Sequence, residues 1–196
     1  MREAQIKRNT GETSISLSLK ILDKTEGGSF SGSTGVGFMD HMMTALCVHG
    51  HFAINLNMSG DLIVDDHHSI EDLGIVLGTA FASAVGDKST LTRYGTSYIP
   101  MDDALCRCVL DISGRPYLVY KANYDFQYVG ELETAMIKEF FYAFAMRSGI
   151  TLHLECLYGD NDHHKAEALF KAFARALSDA CQIRQGAILS TKGKLD

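Results

Sequence analysis

Between Thr13 and Leu22 the apolar residues Ile15, Leu17, Leu19 and Ile21 alternate with Ser14, Ser16, Ser18 and Lys20, the period of a strand buried on one face. A turn rich in Gly and Ser follows over 27–37. Beyond it the pattern predicts a helix over 40–48, a strand over 52–58 and a helix over 69–85, the last with Ile70, Leu73, Leu77, Ala80, Phe81 and Ala84 at helical spacing. The second half predicts strands over 96–101, 105–112 and 117–122, a helix over 133–146, a strand over 151–157 and a helix over 164–180. That final helix gathers Ala166, Leu169, Phe170, Phe173, Leu177 and Ala180 on one face, a core stripe like its counterpart. Both halves read strand, strand, helix, strand, helix. With no Pro-rich linker between them, the expectation is an α+β fold of two fused units, 1–91 and 92–196, sharing one compact body.

The duplication carries chemistry. Asp66-His67-His68-Ser69-Ile70-Glu71 recurs as Asp162-His163-His164-Lys165-Ala166-Glu167, an offset of 96 (163 minus 67), each copy opening a helical segment. Neutral imidazole and carboxylate are the usual ligands of first-row divalent metals, and a Glu three or four residues after a His lies beside it on a helix. Adjacent histidines diverge by about 100° around a helix, so one pair suits two ions better than one. Aligning the shorter helices sets His41 against Glu139. The paired positions are then His41, His67, His68 and Glu71 with Glu139, His163, His164 and Glu167. Eight nitrogen and oxygen donors without a thiolate favour two six-coordinate ions such as Mn²⁺ over a structural tetrahedral zinc, although Zn²⁺ would compete. His51 and His153 begin or line strands and read as structural or solvent-facing.

Composition narrows the partners. The chain has 196 residues, 46% of them hydrophobic, enough to bury a real core. A net charge of −6 and no dense Lys/Arg run argue against nucleic acid or an anionic membrane as a partner. No segment approaches the roughly 18 apolar residues of a membrane span, and the polar start Arg2-Glu3-Ala4-Gln5 lacks the apolar core of a secretion signal, so the cytoplasm is the expected compartment. The five cysteines (Cys47, Cys106, Cys108, Cys156, Cys181) include no C-x-x-C and read as reduced structural thiols. Arg93, Arg115 in Ser113-Gly114-Arg115-Pro116, and the tail Ser190-Thr191-Lys192-Gly193-Lys194 are the residue types from which a phosphate site is built.

Six ordered motifs extend the pattern: Gly35-Val36-Gly37-Phe38-Met39-Asp40-His41-Met42, Asp66-His67-His68-Ser69-Ile70-Glu71-Asp72, Ile99-Pro100-Met101-Asp102, Ser113-Gly114-Arg115-Pro116, Asn161-Asp162-His163-His164-Lys165-Ala166-Glu167 and Ser190-Thr191-Lys192-Gly193. Over nearly its whole length the chain resembles the imidazoleglycerol-phosphate dehydratases of histidine biosynthesis. The resemblance implies a duplicated α+β fold with helices packed between sheets, two Mn²⁺ ions per active site, and a 24-subunit homo-oligomer whose sites form between neighbours. It marks the same eight residues as metal ligands, with one departure, Glu139, where many relatives have His. It marks Glu12, the stretch from His41 to His49, Arg93, Arg115, Ser190, Thr191 and Lys192 as contacts of a small phosphorylated imidazole.

The implied reaction removes water from imidazole glycerol phosphate to give imidazole acetol phosphate. Its difficulty is physical: no carbonyl acidifies the carbon-bound proton, and hydroxide leaves poorly. An imidazole ring with both nitrogens on metal ions would be stabilised as imidazolate and could expel the hydroxyl. Glu12, Asp102, His49 and Glu167 are the acid/base candidates by type. Two rivals share the ligand set: a binuclear metal hydrolase, separable by phosphate release, and a metal-storage shell, which would not need Arg93, Arg115 and Lys192 near the ions.

Overall fold

A computed structural model describes residues 2–184 and 189–190 of the chain. The first half runs β1 (Glu3–Asn9), β2 (Thr13–Ile21), β3 (Ser29–Ser31), α1 (Gly37–Gly50), β4 (Phe52–Gly60) and α2 (His67–Val85). The second repeats the order as β5 (Tyr94–Met101), β6 (Ala104–Asp111), β7 (Tyr117–Lys121), α3 (Thr134–Ser148), β10 (Thr151–Tyr158) and α4 (Asp162–Ala180), with a small hairpin β8 (Tyr128–Val129) and β9 (Leu132–Glu133) inserted before α3. The sheets have matching orders, β1-β2-β4-β3 and β5-β6-β10-β7, with one parallel pair each, β3 beside β4 and β7 beside β10. The α+β duplication is therefore complete, and each unit has its own third strand.

Alternation builds both inner faces. Ile15, Leu17, Leu19 and Ile21 of β2 are buried as expected, and so are Cys106, Cys108 and Leu110 of β6. β1 and β3 were not anticipated. β1 is an edge strand whose inner face is only half buried, on Ala4 and Ile6, and β3 spans three residues inside the Gly/Ser turn, too short for any period to show. Both ligand-bearing helices start earlier than the apolar stripes predict, at His67 and at Asp162, so all four repeated histidines lie in first helical turns.

The halves are interlocked. α2 covers β1 and β2 while α4 covers β5 and β6, but α1 packs on α4 of the other half and α3 packs on α2. The helices thus form a layer between the two sheets. A run of ring contacts joins sheet to sheet: Phe52 to Phe81 (6.5 Å between centroids), Phe81 to Phe144 (5.6 Å), Phe144 to Phe173 (5.1 Å), Phe173 to Phe141 (5.2 Å) and Phe141 to Tyr120 of β7 (6.3 Å). Such pairs add about 0.5–1.5 kcal/mol each beyond area burial. One hydrophobic core includes residues of both units. Among the described residues no helix is long and apolar enough to cross a membrane.

Crossed helices decide what meets the metal motifs. α1 and α3 each end on a left-handed residue, His51 (φ 57°) and Gly149 (φ 71°), an offset of 98 (149 minus 51). The same offset sets His41 on Glu139, so α1 delivers an imidazole to α4 where α3 carries a carboxylate along α2.

Candidate metal centre

The first turn of α4 is fixed by its cap. The Asn161 Oδ1 accepts from the backbone N–H groups of His163 (2.9 Å) and His164 (3.2 Å), donors that would otherwise be orphaned at a helix start. One turn on, Glu167 Oε2 lies 3.1 Å from His163 Nε2 and 3.2 Å from His41 Nε2, while its Oε1 lies 2.6 Å from Lys171 Nζ. Burial pushes the Glu167 carboxyl up, but Lys171 and His41 more than offset this and hold it at about 2, so it is an anion at neutral pH. Among the described residues, His41, His163 and Glu167 are the one group of three or more His, Cys or acidic side chains whose ligand atoms all fall within 4.8 Å of each other.

The start of α2 is looser. Asp65 Oδ1 accepts from the His67 N–H (2.9 Å), and His67 Nε2 stands 3.7 Å from Glu71 Oε2, both side chains half exposed. Glu139 is half buried on α3 and belongs to no group of that kind. Within one chain the eight expected ligands are therefore divided among separate corners.

The second histidine of each pair turns away from the first, with ring planes at 80° for His67 and His68 and 78° for His163 and His164. Each is braced through Nδ1, His68 by Asp61 Oδ2 (3.0 Å) and His164 by Asp103 Oδ1 (2.5 Å). This leaves Nε2 as the presented nitrogen, the arrangement by which a carboxylate orients a ligating imidazole. Its hydrogen bond to Asp61 raises the His68 pKa, and the His164 bond together with the N–H groups of Asn161 and Asp160 holds Asp103 well below the usual carboxylate range. Facing these rings are the first hairpin turns of the two halves, with Glu12 Oε1 3.6 Å from His68 Nε2 and Asp102 Oδ2 3.5 Å from His164 Nε2. Asp102 adopts a left-handed backbone (φ 46°), tolerable for Asp in a tight turn. A pocket of about 350 Å³ opens beside Glu12 and Asp61, lined also by Thr10, Gly11, Thr13, Ser14, Ser59 and Gly60. A larger hollow of about 510 Å³ on the outer side of the first sheet has no histidine in its lining.

The first residue of each motif has a separate task. Asp66 Oδ2 accepts from the Glu133 N–H (2.8 Å), and Asp162 Oδ2 accepts from the N–H groups of Asp125 (2.9 Å) and Phe126 (2.8 Å). The two aspartates so grip both ends of the inserted hairpin, between the two corners. Buried Lys165 bonds Asp162 and Asp125, each at 2.8 Å. Burial alone would pull that ammonium down, but the two carboxylates keep its pKa raised.

The other predicted site residues are scattered. His49 lies two turns beyond His41 on α1, and its pKa is lowered by burial and by Lys171 and Arg175 of α4, which favours the neutral imidazole. Arg93 is buried (7% exposed) and forked onto Asp111, Nε to Oδ1 at 2.6 Å and Nη2 to Oδ2 at 2.9 Å, while Nη1 donates to the Leu189 carbonyl. Arg115 is exposed in its turn. Ser190 follows the segment that Arg93 holds, and Thr191 and Lys192 lie outside the described residues. His153 is exposed on β10 and His51 Nδ1 meets the Glu26 carbonyl at 2.9 Å, both away from the metal corners. Asp61, Asp103 and Lys171 were not singled out from the sequence. Of these Lys171 alone had a local signal, its place four residues after Glu167 on a helix.

The sequence profile of the imidazoleglycerol-phosphate dehydratase family matches residues 34–177. The chain is 51% identical to the imidazoleglycerol-phosphate dehydratase of Heliobacterium modesticaldum over 198 aligned positions, and 49% identical to that of Clostridioides difficile over 195, with 100% of each partner covered in both. Its fold is similar to the crystal structure of the Staphylococcus aureus imidazoleglycerol-phosphate dehydratase, with a TM-score of 0.82 and 38% identity over 94% of this chain and 99% of that one. The Pyrococcus furiosus structure gives a TM-score of 0.81 and 32% identity over 97% and 100%.

Proposed function

The chain belongs to the imidazoleglycerol-phosphate dehydratase family, lyases of histidine biosynthesis, and we propose that it is a metal-dependent dehydratase converting imidazole glycerol phosphate to imidazole acetol phosphate and water with two Mn²⁺ ions per active site. The observation that carries the metal reading is the convergence of His41 and His163, from opposite halves of the chain, on one oxygen of Glu167 at 3.2 and 3.1 Å. Ligand atoms of a six-coordinate ion with bonds of about 2.1 Å sit about 3 Å apart when adjacent. The donor set fits as chemistry too: an ionised carboxylate, imidazoles offering Nε2, and no thiolate. Bound divalent ions would supply Lewis acidity to the substrate's ring nitrogens.

The chain's own residues do the rest. Glu12 and Asp102 stand next to the presented nitrogens of His68 and His164 and are the acid/base pair of this reading; His49, kept neutral, is a further proton acceptor, and Glu167, ionised, serves as ligand. Arg93, oriented by its fork onto Asp111 and bonded to the Leu189 carbonyl next to Ser190, would take the phosphate together with Arg115, Ser190, Thr191 and Lys192. The divided ligand set supports a homo-oligomer in which a neighbour's corner completes each site, and the family resemblance implies that it is a cage of 24 chains. The cytoplasm is the compartment that goes with this assignment.

The test is metal content and turnover before and after chelation, followed by Mn²⁺ return. Ketone formation from imidazole glycerol phosphate should vanish with the metal and recover with it, with no phosphate released at any stage. Full activity in metal-free protein overturns the metal reading, and phosphate release would favour the hydrolase. Light scattering that reports a monomer in the Mn²⁺-loaded, active protein overturns the shared site.

A further inference from the structure

Cys106 of β6 and Cys156 of β10 face each other in the antiparallel register, on the inner side of the second sheet. Facing residues of an antiparallel pair have Cα atoms about 4.5–5.5 Å apart, inside the roughly 4.4–6.8 Å that a disulfide spans. The thiols are near enough for Cys156 to help raise the Cys106 pKa, beside the larger effect of burial. Their surroundings differ. Cys106 is fully buried and donates its S–H to the Lys165 carbonyl (3.4 Å), whereas Cys156 is partly open to solvent and bonds the Tyr158 carbonyl at 3.5 Å. The register shifts just after Cys156, an irregularity that gives this strand end room to adjust. No other cysteine has this setting: Cys108 faces Leu154, and Cys47 and Cys181 are buried elsewhere.

We propose that Cys106 and Cys156 are a redox modification site, closing to a reversible intramolecular disulfide when the protein meets a peroxide. Cys156, the accessible member, attacks first: its sulfur bonds one peroxide oxygen, the O–O bond breaks, and the other oxygen leaves as water after taking a proton. The resulting sulfenic acid is then attacked by the Cys106 sulfur, the S–S bond forms, the S–O bond breaks, and a second water carries away the Cys106 proton. Two thiols are oxidised by two electrons and one peroxide is reduced to two waters. Burial and the neighbouring Cys156 keep the Cys106 thiol protonated, so it is not the first to react and must give up its proton as it attacks the sulfenic sulfur. Closure also takes the S–H donor from the Lys165 carbonyl, in the turn between His164 and Glu167.

The reduced holoprotein is treated with graded hydrogen peroxide, with glutathione in the same tube to report delivery of oxidant. Thiols are then counted under denaturing conditions and peptides mapped without reductant. The count should fall from five to three, with one cross-linked peptide pair joining Cys106 to Cys156, restored by dithiothreitol. The variant Cys156→Ser should keep all its remaining thiols, and Cys108→Ser should still form the bond. Five surviving thiols in the unaltered protein while glutathione is oxidised, a link through Cys108, or Cys156 passing to sulfinic acid without a link would each overturn the proposal. The mapped unaltered protein decides the matter even where a variant fails to fold.

Discussion

At the start of α4 the Glu167 side chain is 9% exposed, with His163 at 3.1 Å, His41 at 3.2 Å and Lys171 at 2.6 Å. At the start of α2 the matching Glu71 is 43% exposed, with His67 at 3.7 Å. The motif residues are the same in both corners and so is the helix they open. What differs is the company: the place of Lys171 is taken in α2 by Ile75 (171 minus 96), and the place of His41 by Glu139. One corner is thus a buried carboxylate held between a cation and two imidazoles, while in the other an exposed carboxylate stands 3.7 Å from one imidazole. Duplication kept the donor-bearing turn, and the partner helix and the following turn set the state in which each donor waits.

Acid is the strongest way to test that difference. Glu167 has a folded pKa of about 2 against an ordinary 4.5, so its contribution to stability is full above pH 4.5 and is lost as the pH falls towards 2. The shift corresponds to about 3 kcal/mol as an upper figure. Urea unfolding of the metal-free protein is expected to show a gap between the wild type and Glu167→Gln that narrows from pH 5 to pH 3, and no such gap for Glu71→Gln. A gap that is flat with pH would mean Glu167 is not held as an anion by its neighbours.

Removing the cation comes next. Lys171→Met leaves a mostly buried carboxylate short of its ammonium and should cost the metal-free protein about 2–3 kcal/mol, near the low side for breaking a buried pair because Lys171 retains some exposure. Glu71→Gln, at an exposed pair, should change stability by less than about 0.5 kcal/mol. Equal losses in chemical denaturation would erase the contrast between the corners.

The braces of the second histidines offer a smaller but sharper comparison. Asp103 meets His164 at 2.5 Å and also accepts from the Asp160 (2.6 Å) and Asn161 (3.0 Å) N–H groups, whereas Asp61 meets His68 at 3.0 Å and has its other oxygen buried without a partner. Mutating such outer partners of a ligating imidazole lowers metal affinity by about 10–100-fold. Asp103→Asn should lie near the upper end and Asp61→Asn near the lower, read by Mn²⁺ titration. The reverse order would show that hydrogen-bond number does not govern the brace.

These braces also mark where the sequence stops being legible. The helices α2 and α4, the strand β2, the repeated motif and the match of His41 to Glu139 follow from periods of 3.6 and 2 and from spacing alone. Asp61 and Asp103 are acids in turns, Asp103 right behind Asp102, and nothing local sets them apart from Asp65 or Asp160; their role exists only once the loop folds back over the helix start. Arg93 shows another limit. Its residue type and the family resemblance mark it as a phosphate contact, but its buried fork onto Asp111, eighteen residues away, comes from strand pairing and has no local signal. The division of eight donors among corners was likewise invisible, because it depends on the crossing of α1 onto α4 and α3 onto α2.

That crossing gives the last test. In α2, Gly74 faces α3 so closely that a Cβ there would stand 2.6 Å from the Phe140 carbonyl oxygen and 2.9 Å from the Ala143 Cβ; the same place in α4 (74 plus 96) holds Phe170, whose ring stacks on Phe140 at 5.4 Å. α2 therefore approaches α3 backbone to backbone, and α4 meets its neighbours through rings. Replacing Gly by Ala inside a helix gains up to about 1 kcal/mol from propensity, but the obstacle here is main chain, which cannot rotate aside, and overpacking costs about 1–3 kcal/mol. Gly74→Ala should therefore be destabilising by about 1–2 kcal/mol in urea unfolding. Because α3 carries Glu139, pushing it off α2 should also weaken Mn²⁺ binding at the α2 corner and leave the spacing of His41, His163 and Glu167 unchanged. A stabilised Gly74→Ala with both metal sites intact would show that α2 and α3 do not depend on this close approach, and that the openness of the α2 corner has another origin.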